Sequence, residues 1–191
     1  MPTQPFHHGN LRSVLLDYAE QTLRRHGVEA LSLRELARQA GVSHGAPRNH
    51  FIDRQALLDA LAERGFNRLT ELARAAMNDQ DGYEPMFLRV AAAYVQFAVD
   101  HAALLDLMFA AKVDDPPEHV RAAAERLFAT FDELIDRGRV AGYFPQTESH
   151  WVRLLFAATM QGTATLVATR RITAEQGNAL IAEATSRILK V

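Results

Sequence analysis

The amino-acid sequence predicts an all-α protein, and three observations carry that reading. Apolar residues recur at helical spacing along nearly the whole chain, and no segment alternates polar and apolar residues over the length of a strand. Several apolar runs are bounded by residues that start or stop helices, such as Ser32 and Asp53 before and Gly27, Gly41 and Gly138 after. With 191 residues, 48% of them hydrophobic, the chain has ample material for a core. About nine helices are expected, arranged as a small domain over residues 1–55 and a larger one over residues 56–191.

Met1 to Gly9 has two Pro, one Gln and the pair His7-His8, lacks periodicity, and reads as an unpacked terminal arm. The first helix, about Leu11 to His26, gathers Leu11, Leu15, Tyr18, Ala19, Thr22 and Leu23 on one face, and Gly27 stops it. Ser32 and Glu35 have the spacing of a capping box for a short second helix that ends at Gly41. Val42 is expected as a buried turn residue. Ser43 is a second N-cap, for a third helix running to about Asn49. Two short helices joined by a Gly-containing turn describe a helix-turn-helix, whose second helix enters the major groove of DNA with its N-terminal residues leading. The exposed residues there are Ser43, His44, Gly45, Arg48 and Asn49. Pro47 disturbs this helix: it has no N–H to give the Ser43 carbonyl, and it disfavours the helical conformation at Ala46, so a tighter opening turn is expected.

Phe51 belongs in a small core with Leu36, Ala37 and Val42, while the neighbouring His50 has two equal readings, a phosphate contact or a cap on local backbone. Asp53 caps a fourth helix that continues to about Met77, some 24 residues or roughly 36 Å. Its N-terminal amides, with Arg54 in the first turn, suit a phosphate oxygen. Arg34 completes the set of expected phosphate ligands.

The residues Ala40-Gly41-Val42-Ser43, Gly45-Ala46, His50-Phe51, Asp53-Arg54 and Leu57-Leu58 resemble the DNA-binding domain of the TetR/AcrR family of transcriptional regulators. The resemblance extends back through Leu11 to Gly27 and covers about the first third of the chain. Where the family usually has Leu-Tyr in the recognition helix, this chain has Pro47-Arg48. The Tyr is normally a phosphate contact, and Arg48 can replace it with a charge and several donors. By resemblance the rest of the chain is a helical ligand-binding and dimerisation domain, and the partners are a palindromic double-stranded operator, a small-molecule inducer and a second copy of the chain.

Asn78 to Glu84 is polar, contains a Gly and marks a boundary. Further helices are expected over about Pro85–Asp100, Ala102–Ala111, Pro117–Arg137 with a stop at Gly138, Ser149–Arg170 and Thr173–Lys190. The segment Ala93 to Lys112 resembles a TetR branch named for a Trp-His-Gly signature; at Ala157 to Gly162 the Gly remains, Gln161 stands for His, and the Trp is absent. The aromatic and Met content of this half suits a pocket for a small apolar or amphipathic molecule, with Phe87, Tyr94, Phe97, His101, Met108, Phe128, Phe131, Phe156, Met160 and Gln161 as candidate lining. Each of these residues has plain core packing as its alternative. In the last hairpin Trp151, Leu154, Leu155, Ala158, Gly162, Thr165 and Leu166 form one stripe and Leu180, Ile181, Ala184 and Ile188 another. The family resemblance implies that residues 149–190 pair with their copy in a homodimer.

Composition excludes several classes of function. The chain has no Cys, which removes disulfides, thiolate metal sites and cysteine nucleophiles and fits a cytoplasmic protein. No run approaches the roughly 20 apolar residues that span a bilayer, and Met1 to Asn10 has no signal-peptide core. Net charge is only −2. Residues 1–65 nevertheless hold eight Arg against seven acidic residues, a sign that suits DNA at this end. No nucleophile motif, phosphate loop or metal spacing points to an enzyme, and no cofactor is expected. The expected function is a dimeric, ligand-responsive repressor. The alternative is a small-molecule-binding helical protein whose helix-turn-helix no longer binds DNA.

Overall fold

The computed structural model describes residues 11–78, 81–111, 115–144 and 148–190. The N-terminal arm expected over Met1 to Gly9 lies outside them. Among the described residues there are eight α-helices and no strand: α1 (Leu11–His26), α2 (Leu33–Gln39), α3 (Arg54–Ala76), α4 (Tyr83–Asp100), α5 (Ala102–Ala111), α6 (Glu118–Val140), α7 (Ser149–Ala168) and α8 (Ala174–Ile188). Two 3-10 turns, Val28–Ala30 and Ala46–Asn49, complete the list. The ninth expected helix, Ser43 to Asn49, is the second of these turns.

The chain forms two compact units. The first comprises the described residues through Gly65 together with those of 103–120; the second comprises the described residues of 66–102 and 121–190. In the first, α1, α2 and both 3-10 turns pack on one another. Leu15, Leu16, Ala19 and Leu23 of α1 are buried, as are Leu36 and Ala37 of α2, Phe51, and Leu57 and Leu61 of α3. The Asp53 carboxylate accepts the Ala56 amide at 2.8 Å, as expected of a cap. Met108 of α5 also belongs to this unit, because Gly65 leaves room for it: a Cβ there would stand 2.5 Å from the Met108 sulfur.

In the second unit α4, α7 and α8 pack together. Gly177 of α8 gives way to Val167 of α7, since a Cβ at 177 would stand 2.6 Å from Val167 Cγ2. Gly138 does not end α6, which runs on to Val140. The turn comes instead at Gly142, whose φ is +86°. Gly138 sits where the rings of Tyr83 and Phe144 press on the helix and a Cβ would collide with both. Tyr83 also donates to the Leu134 carbonyl at 3.1 Å. No single helix among the described residues is long and apolar enough to cross a membrane.

Candidate functional site

The turn after α2 is built by its end. Gly41 takes φ +67°, its amide donates to the Arg38 carbonyl (3.2 Å), and the Val42 amide donates to the Ala37 carbonyl (3.0 Å). This pair of bonds is the Schellman closure, which a left-handed glycine permits. Val42 is half-buried, less enclosed than expected. At the other end of α2 the Ser32 hydroxyl accepts the Glu35 amide at 3.4 Å. The reciprocal half of the capping box is missing among the described bonds, because the Glu35 carboxylate takes Arg38 (2.9 and 2.6 Å) and Gln39 (3.0 Å) instead. Hydrogen bonds first from Arg38 and then from Gln39 hold that carboxyl well down, to about 2.

Beyond Gly41 the chain makes i to i+3 bonds: the Ala46 amide to the Ser43 carbonyl (3.0 Å), Arg48 to Gly45 (3.1 Å), and His50 to Pro47 (3.0 Å). An α-helix from Ser43 would need an N–H at residue 47 for the Ser43 carbonyl. Pro47 has none, so that carbonyl accepts from Ala46 and the segment closes as one 3-10 turn. The Pro47 ring is buried. Ser43, His44, Gly45, Arg48, Asn49 and His50 are all exposed, as is Arg34 on α2. The six residues of the turn region thus form a short, nearly continuous polar segment after α2, with the Pro47 ring anchoring it from inside. Among the described residues neither Arg34 nor Arg48 forms an ion pair.

Arg54 is placed differently. Its Nε donates to the Leu31 carbonyl at 3.0 Å and a terminal nitrogen to the Val28 carbonyl at 2.6 Å, with Glu29 at 3.9 Å. The guanidinium is committed to the connection between α1 and α2. Sequence reasoning saw a charge at a helix start and missed these carbonyls, which lie more than twenty residues away in the chain.

In the second unit several of the residues expected around a ligand pack on one another in an aromatic cluster. Phe87 and Phe156 meet at 5.1 Å between ring centroids, Phe131 and Phe156 at 5.5 Å, and Tyr94 and Phe131 at 6.2 Å. These four and Met160 are buried. Tyr94 donates its hydroxyl proton to Gln161 Oε1 at 2.7 Å, and burial pushes its phenol up to about 12. Phe97 and His101 pair at 5.0 Å. Phe128 is half-buried on α6. Met108 belongs to the first unit, beside Gly65. A concavity of about 890 Å³ in the second unit lies elsewhere, lined by Tyr83 and Met86 of α4 and by Ala129, Asp132, Glu133, Asp136, Arg137 and Val140 of α6. None of the ten expected residues lines it. The Gly138 position, mid-helix beside two rings, was the sequence signal nearest to it.

The outward side of the last hairpin is apolar. Trp151 is 57% exposed, Leu154 46%, Leu155 44% and Leu180 40%. Ala158, Gly162 and Thr165 continue the face on α7, while Ile181 and Ile188 turn inward. No group of three or more His, Cys, Asp or Glu among the described residues is placed to hold a metal ion.

Comparison with known proteins gives two family matches. Residues 15–61 match the family described as bacterial regulatory proteins, tetR family, and residues 87–188 match a tetracyclin repressor-like C-terminal domain. Neither family description names the Trp-His-Gly branch. A solved structure of a protein of unknown function from Rhodococcus sp. RHA1 is 39% identical, with 98% of this chain and 97% of that chain covered and a TM-score of 0.88. A putative TetR-family transcriptional regulator from Rhodococcus sp. is 19% identical, with 94% and 98% covered and a TM-score of 0.71. The fatty acid degradation regulator FadR from Bacillus halodurans is 17% identical, with 99% and 97% covered and a TM-score of 0.76. No curated protein sequence matches the chain.

Proposed function

The chain belongs to the TetR family of bacterial regulatory proteins, and from that premise we propose that it is a dimeric repressor which a small apolar or amphipathic molecule releases from a palindromic operator. The observation that carries the reading is the exposed segment Ser43 to His50, held by the Schellman end of α2 and the buried Pro47 ring. Ser43, His44 and Gly45 lead into the major groove, with His44 the base-reading side chain. Arg34, Arg48, Asn49 and His50 hold phosphates, and Arg48 or Asn49 also reaches a base edge.

One turn reads few base pairs, so two copies at major-groove spacing are needed. The apolar face around Trp151, Leu154, Leu155 and Leu180 supports their pairing through residues 149–190. The inducer enters among Phe87, Tyr94, Phe131, Phe156 and Met160, with Gln161 and Tyr94 as the polar groups. Those rings touch one another, so binding selects a conformation in which they part, and a ligand shifts the operator equilibrium only by its differential affinity for the two conformations.

Selection of binding sites from random double-stranded DNA tests this reading. A regulator returns a palindrome whose half-sites lie about one helical turn apart, bound by two chains as measured by sedimentation. The single 3-10 turn at Ala46–Asn49 favours one competing reading, a small-molecule-binding protein that has lost DNA. Under that reading the selection returns no enriched sequence while ligands still raise the melting temperature.

A further inference from the structure

The clearest feature that the proposed function leaves unused is the commitment of Arg54. Three elements of the first unit meet at its guanidinium. It projects from the first turn of α3, fixed there by the Asp53 cap on the Ala56 amide (2.8 Å). It donates to the carbonyls of Val28 (2.6 Å) and Leu31 (3.0 Å), which begin and follow the 3-10 turn after α1. Leu31 is buried and immediately precedes Ser32, the cap of α2. The start of α3 is therefore tied to the connection that aims α2, on either side of the segment Ser43 to His50. Two divergent carbonyls need two N–H donors in a planar fork, which arginine has and lysine lacks. A phosphate oxygen makes no such demand.

We infer that Arg54 is a positioning residue, whose guanidinium fixes the α1–α2 connection against the start of α3 and so sets how the segment Ser43 to His50 is presented, without a phosphate contact of its own. The part of this inference that concerns DNA rests on the regulator reading.

The test compares the wild-type chain with Arg54→Lys, Arg54→Ala and the phosphate-contact control Arg48→Ala. Amide hydrogen exchange is followed in the free protein, and affinity for the selected operator is measured across a salt series. The expected result is exchange faster by about tenfold or more at amides 31–42 in both Arg54 variants and not in Arg48→Ala. Operator affinity falls by about tenfold in both, with the slope of log affinity against log salt unchanged, whereas Arg48→Ala lowers that slope by about one per chain. Rescue of affinity and protection by Arg54→Lys would overturn the inference, as would a slope lowered by Arg54→Ala alongside unchanged exchange. If no operator is found, the regulator reading fails and with it the presentation role; exchange then still reports whether the tie between α3 and the α1–α2 connection exists.

Discussion

Gly41 carries a conformation that an L side chain resists. At φ +67°, with open space where a Cβ would go, the penalty for Gly41→Ala is conformational and not steric. A loss of about 1 kcal/mol in urea unfolding is expected. Gly138 is the reverse case, with helical backbone but no room beside Tyr83 and Phe144. Gly138→Ala should therefore destabilise by about 1–3 kcal/mol through overpacking, and a Gly138→Ala, Tyr83→Leu double variant should recover part of the loss. Tyr94 offers a pH readout. Its folded phenol lies near 12 through burial, above the ordinary 10. For an acid whose folded value is raised, the contribution to stability is fully present below the unfolded value and is lost as pH rises through about 12. Absorbance titration at alkaline pH should show one tyrosine ionising near 12, and Tyr94→Phe should remove that step. Glu35 runs the other way, held near 2, so its carboxylate should remain ionised in NMR titration well below the usual 4.5.

At the scale of elements, α7 and α8 present apolar side chains outward at positions that helical periodicity could mark but not orient. The stripe Trp151, Leu154, Leu155, Ala158, Gly162 and Thr165 was legible as a stripe, and the structure sends it outward while Val152, Phe156 and Met160 face in. Leu154→Asp should convert a dimer into monomers in sedimentation with little change in the helical signal, since Leu154 is 46% exposed. The helices themselves were legible because caps and glycines are local signals: Ser32 and Asp53 cap where expected, and Thr173, expected only as a helix start, caps α8 with a capping box to Gln176. The misplacements share one cause. Gly138 was read as a stop when its job was to admit two rings, and Ser43 to Asn49 was read as a helix with a tighter opening turn at Pro47, whereas no α-helix forms in that segment and the buried Pro47 ring anchors the turn. Arg54 likewise needed carbonyls that only the tertiary fold supplies. Sequence spacing reports local geometry well and long-range partners poorly.

On the scale of the whole molecule, the account makes a regulator of two compact units. One carries the exposed segment Ser43 to His50 with Arg34 nearby in sequence on α2; the other has an aromatic core around Phe131 and Phe156 and an apolar outer face. That Ser43 to His50 forms an exposed polar segment was legible in the sequence because the Gly41 turn and its flanks are a short contiguous motif. The candidate lining residues could not be told from core in the sequence, since aromatic content marks a core and a pocket equally, and Met108 belongs to the other unit. The central claim is that Ser43 to His50 binds DNA despite the 3-10 turn. Affinity of the wild-type chain and of Arg48→Ala for the selected operator, measured from low to moderate salt, tests it most directly. The account predicts steep salt dependence for the wild type and, per dimer, a slope shallower by about two for the variant, as two phosphate contacts are lost. Equal slopes and equal affinities for the two proteins would contradict it.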